Sequence, residues 1–289
     1  MKPLNWIETK DLRKKYGKNE ILRGIDLEVG NGINLLVGHN GAGKSTLISI
    51  LAGLTLETSG FASILGLNPV KQSRDIMKHV YFTPESPVFF HSQIVEDFLY
   101  AHMNLNGYRR EDLNYFLDTF NLRSIVHSYF QSLSMGEREL VMDAAALATG
   151  KKYYVLDEPN SNIDSSNRAI LADEIKKMAI KNNSSFLIIT HIMDNILNIS
   201  DHLYSIAGGK MAGPFPAQEA MRNPSNLCIK IRAFSLENLK KSLSDLNLII
   251  SGQEARIRGI TMENLFSRLS VEELNSITSI EVSVGDAWE

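Results

Sequence analysis

The sequence predicts an α/β fold: a core sheet of mixed, mainly parallel strands, an antiparallel strand region ahead of it, a helical insertion within it and a small α+β appendage after it. Three observations carry that prediction. A glycine-rich turn, "GHNGAGKS", joins an apolar run to a helix; the runs "KYYVLD" and "SFLIIT" flank the helical "SSNRAILADEIKKMAIKN"; and the texture changes after "PFPAQEAMRNP". A strand, helix, strand order implies a parallel pair, because a parallel strand can rejoin its sheet only through a long crossover.

Taken in order, residues 4 to 37 read as short strands, "WIETKDLRKKYG", "EILRGIDLEV" and "INLLV", separated by Gly and Asn turn signals. The glycine-rich turn then runs into "TLISILAGL", an apolar-faced helix. From about residue 84 to 149 the pattern is mostly helical, with "VEDFLYAHMNL" and "REDLNYFLDTFNL" showing apolar residues at spacings of three and four. The βαβ unit follows and completes a main domain over residues 1–222. In residues 228–289, "CIKIRAF" alternates, "SLENLKKSLSD" is helical, "LNLII" and "EARIRGI" read as strands, "TMENLFSRLSVEELNSI" is helical and "SIEVSV" alternates. That βαββαβ order is the split-βαβ pattern of a small ferredoxin-like unit.

A chain of 289 residues with 44% hydrophobic content can bury a substantial core. The formal charge of −3 supplies no basic field for a nucleic-acid backbone, so no nucleic-acid partner is expected. The single cysteine, Cys228, cannot make an intrachain disulfide and reads as a small apolar filler in a reducing compartment. No apolar run approaches the ~18–20 residues of a spanning helix, and "MKPLNWIETK" has no apolar signal core. Any membrane role is expected to pass through a partner.

"GHNGAGKS", Gly38 to Ser45, satisfies G-x-x-x-x-G-K-[ST] between a strand and a helix, the context the mechanism demands. Gly41 and Gly43 let the backbone curl so that N–H donors face phosphate oxygens. Lys44 supplies a point charge, and the Ser45 hydroxyl can ligate Mg²⁺. The loop, from Gly38 through Asn40 to Thr46, is therefore the expected nucleotide-phosphate-binding element. "YYVLDEPNSNID" ends an apolar strand on Asp157 and Glu158, at the carboxyl edge where open α/β sheets bind ligands. Asp157 is expected to hold Mg²⁺ and Glu158 to polarise the attacking water. An isolated Asp-Glu pair would read as a solvated strand end; the upstream loop is what gives it chemistry. "SLSMGEREL" reads as a helix start, able to cap itself or to hold an anion delivered from elsewhere.

Together these motifs resemble the nucleotide-binding subunit of an ATP-binding cassette transporter over roughly residues 6 to 213. "SLSMGE" is similar to the family's LSGGQ signature, with Ser134, Gly136 and Glu137 at the matching places and Met135 where the family often has glycine. The resemblance implies that this helix start contacts the γ-phosphate of ATP bound on a second subunit, in a head-to-tail dimer. It also implies adenine stacking by Tyr16, γ-phosphate contact by His191, and communication between sites through Asp164, although Asn162 and Ile163 depart from the usual Gly-Leu. In "YFTPES" Glu85 stands where the family has a glutamine that senses Mg²⁺ and the membrane subunit. Pro-Glu there is similar to the exporter branch. Phe89, Phe90, Phe98 and Tyr100 then fall where a groove for a membrane subunit's coupling helix is expected.

The function expected is ATP hydrolysis that powers export through a separate polytopic permease, with the chain peripheral on the cytoplasmic face of the cell membrane. The alternative is a soluble cassette ATPase acting on cytosolic machinery, which in that family usually has two cassettes per chain. A P-loop GTPase or small-molecule kinase is a third reading, but N-K-x-D is absent.

Overall fold

The computed structural model describes residues 5–38, 41–83, 92–104, 113–159, 161–190, 194–218, 227–233, 236–252, 254–260, 265, 268–270, 273 and 276–284. The core is a six-stranded sheet of order β5-β6-β7-β3-β8-β9. Its strands are β3 (Ile33–Val37), β5 (Val80–Phe82), β6 (Tyr153–Asp157), β7 (Ser185–Ile189), β8 (His202–Ala207) and β9 (Lys210–Pro216). The first five are mutually parallel, and β9 pairs antiparallel with β8.

Both faces of this sheet are covered, which is why its strands read as continuous apolar runs rather than as alternation. On one face Leu35, Tyr154, Leu156, Phe186 and Ile188 join a core with the helical layer. That layer comprises α3 (Val95–Asn104), α4 (Leu113–Thr119), α5 (Met135–Ala148) and α6 (Ser165–Lys181). On the other face Leu36, Val155, Leu187 and Ile189 pack with α1 (Lys44–Leu51) and with an antiparallel sheet of order β2-β1-β4. That sheet consists of β1 (Ile7–Tyr16), β2 (Asn19–Val29) and β4 (Ser59–Ile64). The two remaining helices of this part are α2 (Ser73–His79) and α7 (Asp194–Ile199).

The expected strands, P-loop helix and βαβ unit are all present. β4, β5, β8, β9, α2 and α7 went unread. "SGFASI" forms β4 despite its opening Ser-Gly, because Gly60 presses against β1 so closely that a Cβ there would lie 2.2 Å from the Asp11 carbonyl oxygen. The three-residue β5 is too short to carry a period. β9 contains Pro214 and Pro216, which suit a strand at the sheet edge.

In the C-terminal segment β10 (Leu227–Ala233), β11 (Asn247–Ser251), β12 (Glu254–Arg258) and β13 (Ile277–Val284) form an antiparallel sheet of order β11-β12-β10-β13. With α8 (Glu237–Ser242) it has its own core around Ile229, Ile231, Leu243, Ile257 and Leu265. The strand order is that of a split-βαβ unit, and the second helix expected there, "TMENLFSRLSVEELNSI", lies largely outside the described residues.

One expectation fails here. Phe98 was assigned to a surface groove, but it is 3% exposed and packs against Phe130 with ring centroids 4.7 Å apart. The apolar spacing that placed it on α3 marks the face turned to the core, not to a partner. Phe89 and Phe90 lie outside the described residues.

Candidate nucleotide site

β3 ends at Val37, and the chain turns through Gly38 into the N-terminus of α1. The turn is pressed against its neighbours: a Cβ at Gly38 would stand 2.5 Å from the Ile206 carbonyl oxygen, and one at Gly43 2.8 Å from Leu22 Cδ2. Gly41 and Gly43 have φ of 83° and 110°, in the left-handed region that side chains avoid. Lys44 is only 7% exposed, and its Nζ donates to the Gly38 carbonyl at 2.6 Å and lies 3.7 Å from Glu158 Oε1.

Glu158 reaches that position from the end of β6 with φ of 51°, an uncommon conformation for a residue with a side chain. Its backbone N–H donates to the Ile189 carbonyl at 2.7 Å, and Thr190 Oγ1 donates to Oε2 at 3.0 Å. Thr190, buried at the end of β7, also donates its N–H to Leu36 on β3. It is a hydroxyl that locks the carboxylate to both strands. Sequence reading passed over it in favour of His191, although a polar residue closing an apolar strand was a usable signal.

Ser45 and Asp157 border a single cavity of about 210 Å³ together with Thr83. A hydroxyl and a carboxylate are hard oxygen donors of the kind Mg²⁺ selects, with substrate phosphates completing the shell. Among the described residues no cluster of three or more His, Cys, Asp or Glu could hold a metal by itself. Tyr16, at the tip of the β1–β2 hairpin, is 51% exposed with the Lys14 ammonium 4.7 Å above its ring, leaving aromatic surface to stack on. Asn40, Glu85 and His191 lie outside the described residues.

A second group is built on α5 and the loop between β6 and α6. Ser134 caps α5 in a reciprocal box: its Oγ accepts from the Glu137 N–H at 3.3 Å, and Glu137 Oε2 accepts from the Ser134 N–H at 2.8 Å. The Ser134 hydroxyl also donates to that carboxylate at 2.7 Å, and these bonds hold the Glu137 carboxyl below its usual range. A Cβ on Gly136 would sit 2.8 Å from the Asn162 carbonyl oxygen, so the loop lies directly on the helix's first turn. Asp164 caps α6, accepting from the N–H groups of Ser166 and Asn167, and its carboxyl is held low, first by the Ser166 hydroxyl.

Two turns along α5, Asp143 is 7% exposed, and its Oδ2 has no hydrogen-bond partner among the described residues. Burial, then the nearby Glu139 charge, pushes its carboxyl well above 3.8. The folded chain therefore keeps a proton that the unfolded chain loses near the ordinary carboxylate pKa, so stability falls as pH rises from there towards the raised pKa. Asp143→Asn removes this slope. Thermal unfolding of both proteins between about pH 5 and about pH 8 should show the variant's advantage growing with pH; a constant difference would mean that Asp143 ionises normally.

A glycine-rich loop between a central parallel strand and a helix, facing carboxylates at a neighbouring strand end, defines a P-loop nucleotide-binding fold. Residues 22–161 match the family model described as ABC transporter. The chain is 32% identical over 217 residues to ATP-binding cassette sub-family A member 17 of Rattus norvegicus, an alignment spanning 72% of this chain but 12% of that protein. It is 25% identical over 276 residues to the uncharacterized ABC transporter ATP-binding protein YdbJ of Bacillus subtilis, covering 86% of this chain and 89% of the relative. An ATP-binding subunit of an ABC transporter superposes with a TM-score of 0.66 at 24% identity, over 75% of this chain and 92% of that one. An ATP-binding cassette solved as a dimer in a post-hydrolysis state with ADP and phosphate gives 0.64 at 17% identity, over 73% and 98%. The match over residues 22–161 marks an ABC transporter ATP-binding domain, an ATPase unit.

Proposed function

We propose that this chain hydrolyses ATP in a head-to-tail dimer and drives export through a separate membrane-spanning subunit. The observation that supports it most is the meeting of Lys44, Gly38 and Glu158 at one point, while the helix start of α5 holds an exposed Ser134 and a half-buried Gly136. In this reading Gly38, Asn40, Gly41, Gly43, Lys44, Ser45 and Thr46 cradle the phosphates, Tyr16 stacks on the adenine and Glu158 polarises the attacking water. Ser45 and Asp157, with Glu85, hold Mg²⁺, which would neutralise phosphate charge. His191 steadies the water, and Asp164 faces the second site. Ser134, Gly136 and Glu137 close the site of the other subunit. Because the Ser134 hydroxyl donates to Glu137, it must turn before it can donate to a phosphate.

Export rather than import rests on "TPES", similar to the exporter branch at Pro84-Glu85. The face assigned to the membrane subunit moves from Phe98 to Leu54, 71% exposed, and Met77, which border the cavity that Ser45 and Asp157 share. No helix among the described residues is long and apolar enough to cross a membrane, in keeping with a peripheral place on the cytoplasmic face. Residues 1–222 form the cassette and residues 228–289 an appendage outside the nucleotide site.

The test is to purify the tagged chain from membranes and to measure phosphate release. A co-purifying polytopic protein that stimulates hydrolysis, and is lost with Leu54→Asp, is expected. Co-purification with ribosomes or another soluble assembly instead would favour the cytosolic alternative.

A further inference from the structure

Glu139 stands on α5 two residues beyond the capping box, on the side facing the β6–α6 loop. One carboxylate oxygen accepts from Ser161 Oγ at 2.8 Å, and the other accepts from Asn162 Nδ2 at 2.6 Å. The Asn162 carbonyl approaches Gly136 closely enough to exclude a side chain there. At the loop's other side Ile163 is buried, and its carbonyl accepts from Arg168 Nε at 3.0 Å. The Ser161 N–H donates to the Glu158 carbonyl at 3.2 Å, so the same short turn begins at the proposed catalytic carboxylate.

We propose that Glu139 is a positioning residue that clamps the loop following Glu158 onto the helix start carrying Ser134 and Gly136. The inference rests on the reading of Glu158 and the signature helix given above. Its content is geometric. Two hydrogen bonds accepted by a single carboxylate, each from a different loop residue, fix both the height and the rotation of the loop on α5. A charged acceptor makes each bond stronger than a neutral one would be. The helix start that must meet another subunit's nucleotide and the turn that aims this subunit's Glu158 are thereby held as one piece.

If so, Glu139→Ala should lower kcat about 10- to 100-fold, the scale of a small misplacement of reacting groups, with ATP affinity of the full chain unchanged within about twofold, since Lys44 and its loop are untouched. Glu139→Gln should recover most of the loss. Its amide oxygen can accept from Asn162 while its NH₂ donates to Ser161, whose hydroxyl can turn to accept. Combining Ser161→Ala and Asn162→Ala should reproduce the defect from the loop side, and adding Glu139→Ala should then cost almost nothing more. Should Glu139→Ala fail to fold, the loop-side pair and Glu139→Gln decide the matter. Unchanged kcat in Glu139→Ala or in the loop-side pair, or additive losses on combining them, would overturn the clamp. A wild-type chain without ATPase activity would instead overturn the functional reading beneath it.

Discussion

Glu158→Gln is expected to keep ATP bound and to slow its hydrolysis by about 10²–10⁴-fold, the range for losing a positioned general base. The substitution preserves the side chain's length and one oxygen acceptor but removes its charge and its basicity. Neither the left-handed backbone at this position nor the N–H bond to Ile189 depends on the carboxylate, so the turn should survive. Binding should survive as well, because the loop is shaped by Gly38, Gly41 and Gly43 and by the Lys44 bond to the Gly38 carbonyl. Single-turnover hydrolysis and equilibrium nucleotide binding measured on the same preparation separate the two effects. Full turnover in the variant would remove Glu158 from the role of base. Lost binding would mean that the carboxylate is needed to hold the loop in shape.

Two inactive variants should restore activity when mixed. Lys44→Ala is expected to lose tight ATP binding, because it deletes the buried cation of the phosphate loop. Ser134→Arg puts a bulky side chain on an exposed helix start and removes a cap worth about 1 kcal/mol, so each homodimer should be nearly inactive. In a mixed dimer one interface collects both lesions, and the other joins an intact phosphate loop to an intact helix start. Phosphate release should therefore rise at intermediate mixing ratios with total protein fixed and mixed dimers confirmed by differential tags. A flat profile would mean that both sites must fire together or that the helix start serves its own chain. A covalently linked dimer carrying Ser134→Arg on one half separates these, since a head-to-tail arrangement leaves it one wild-type site.

What could be read in the sequence is what is contiguous. The phosphate loop, the Asp157-Glu158 pair and the Ser134 cap each lie within a few residues, and their backbone demands are written in Gly, Ser and Asp at fixed offsets. The parallel core was legible because strands buried on both faces appear as short unbroken apolar runs. Residues whose role depends on which face meets which neighbour were not. Glu139 looks like any helix-surface carboxylate until the β6–α6 loop is laid across it, and Asp143 like one more polar position until both faces of α5 are covered. Phe98 shows the same blindness in reverse: helical spacing established that it faces something apolar without saying whether that was core or partner. The lengths of β4 and β5 escaped for another reason, since each depends on pairing with an edge already present and not on a period of its own.

The ion pair between Lys44 and Glu158 bears on the order of events in a working cycle. One ammonium cannot fully serve two anions, so the cation that a triphosphate would recruit is, beforehand, the group that quiets the carboxylate. In the proposed reading, phosphate that draws Lys44 to itself would also free Glu158 to polarise water. Such an interlock would tie the readiness of Glu158 to polarise water to the engagement of Lys44 by phosphate, without a separate sensor.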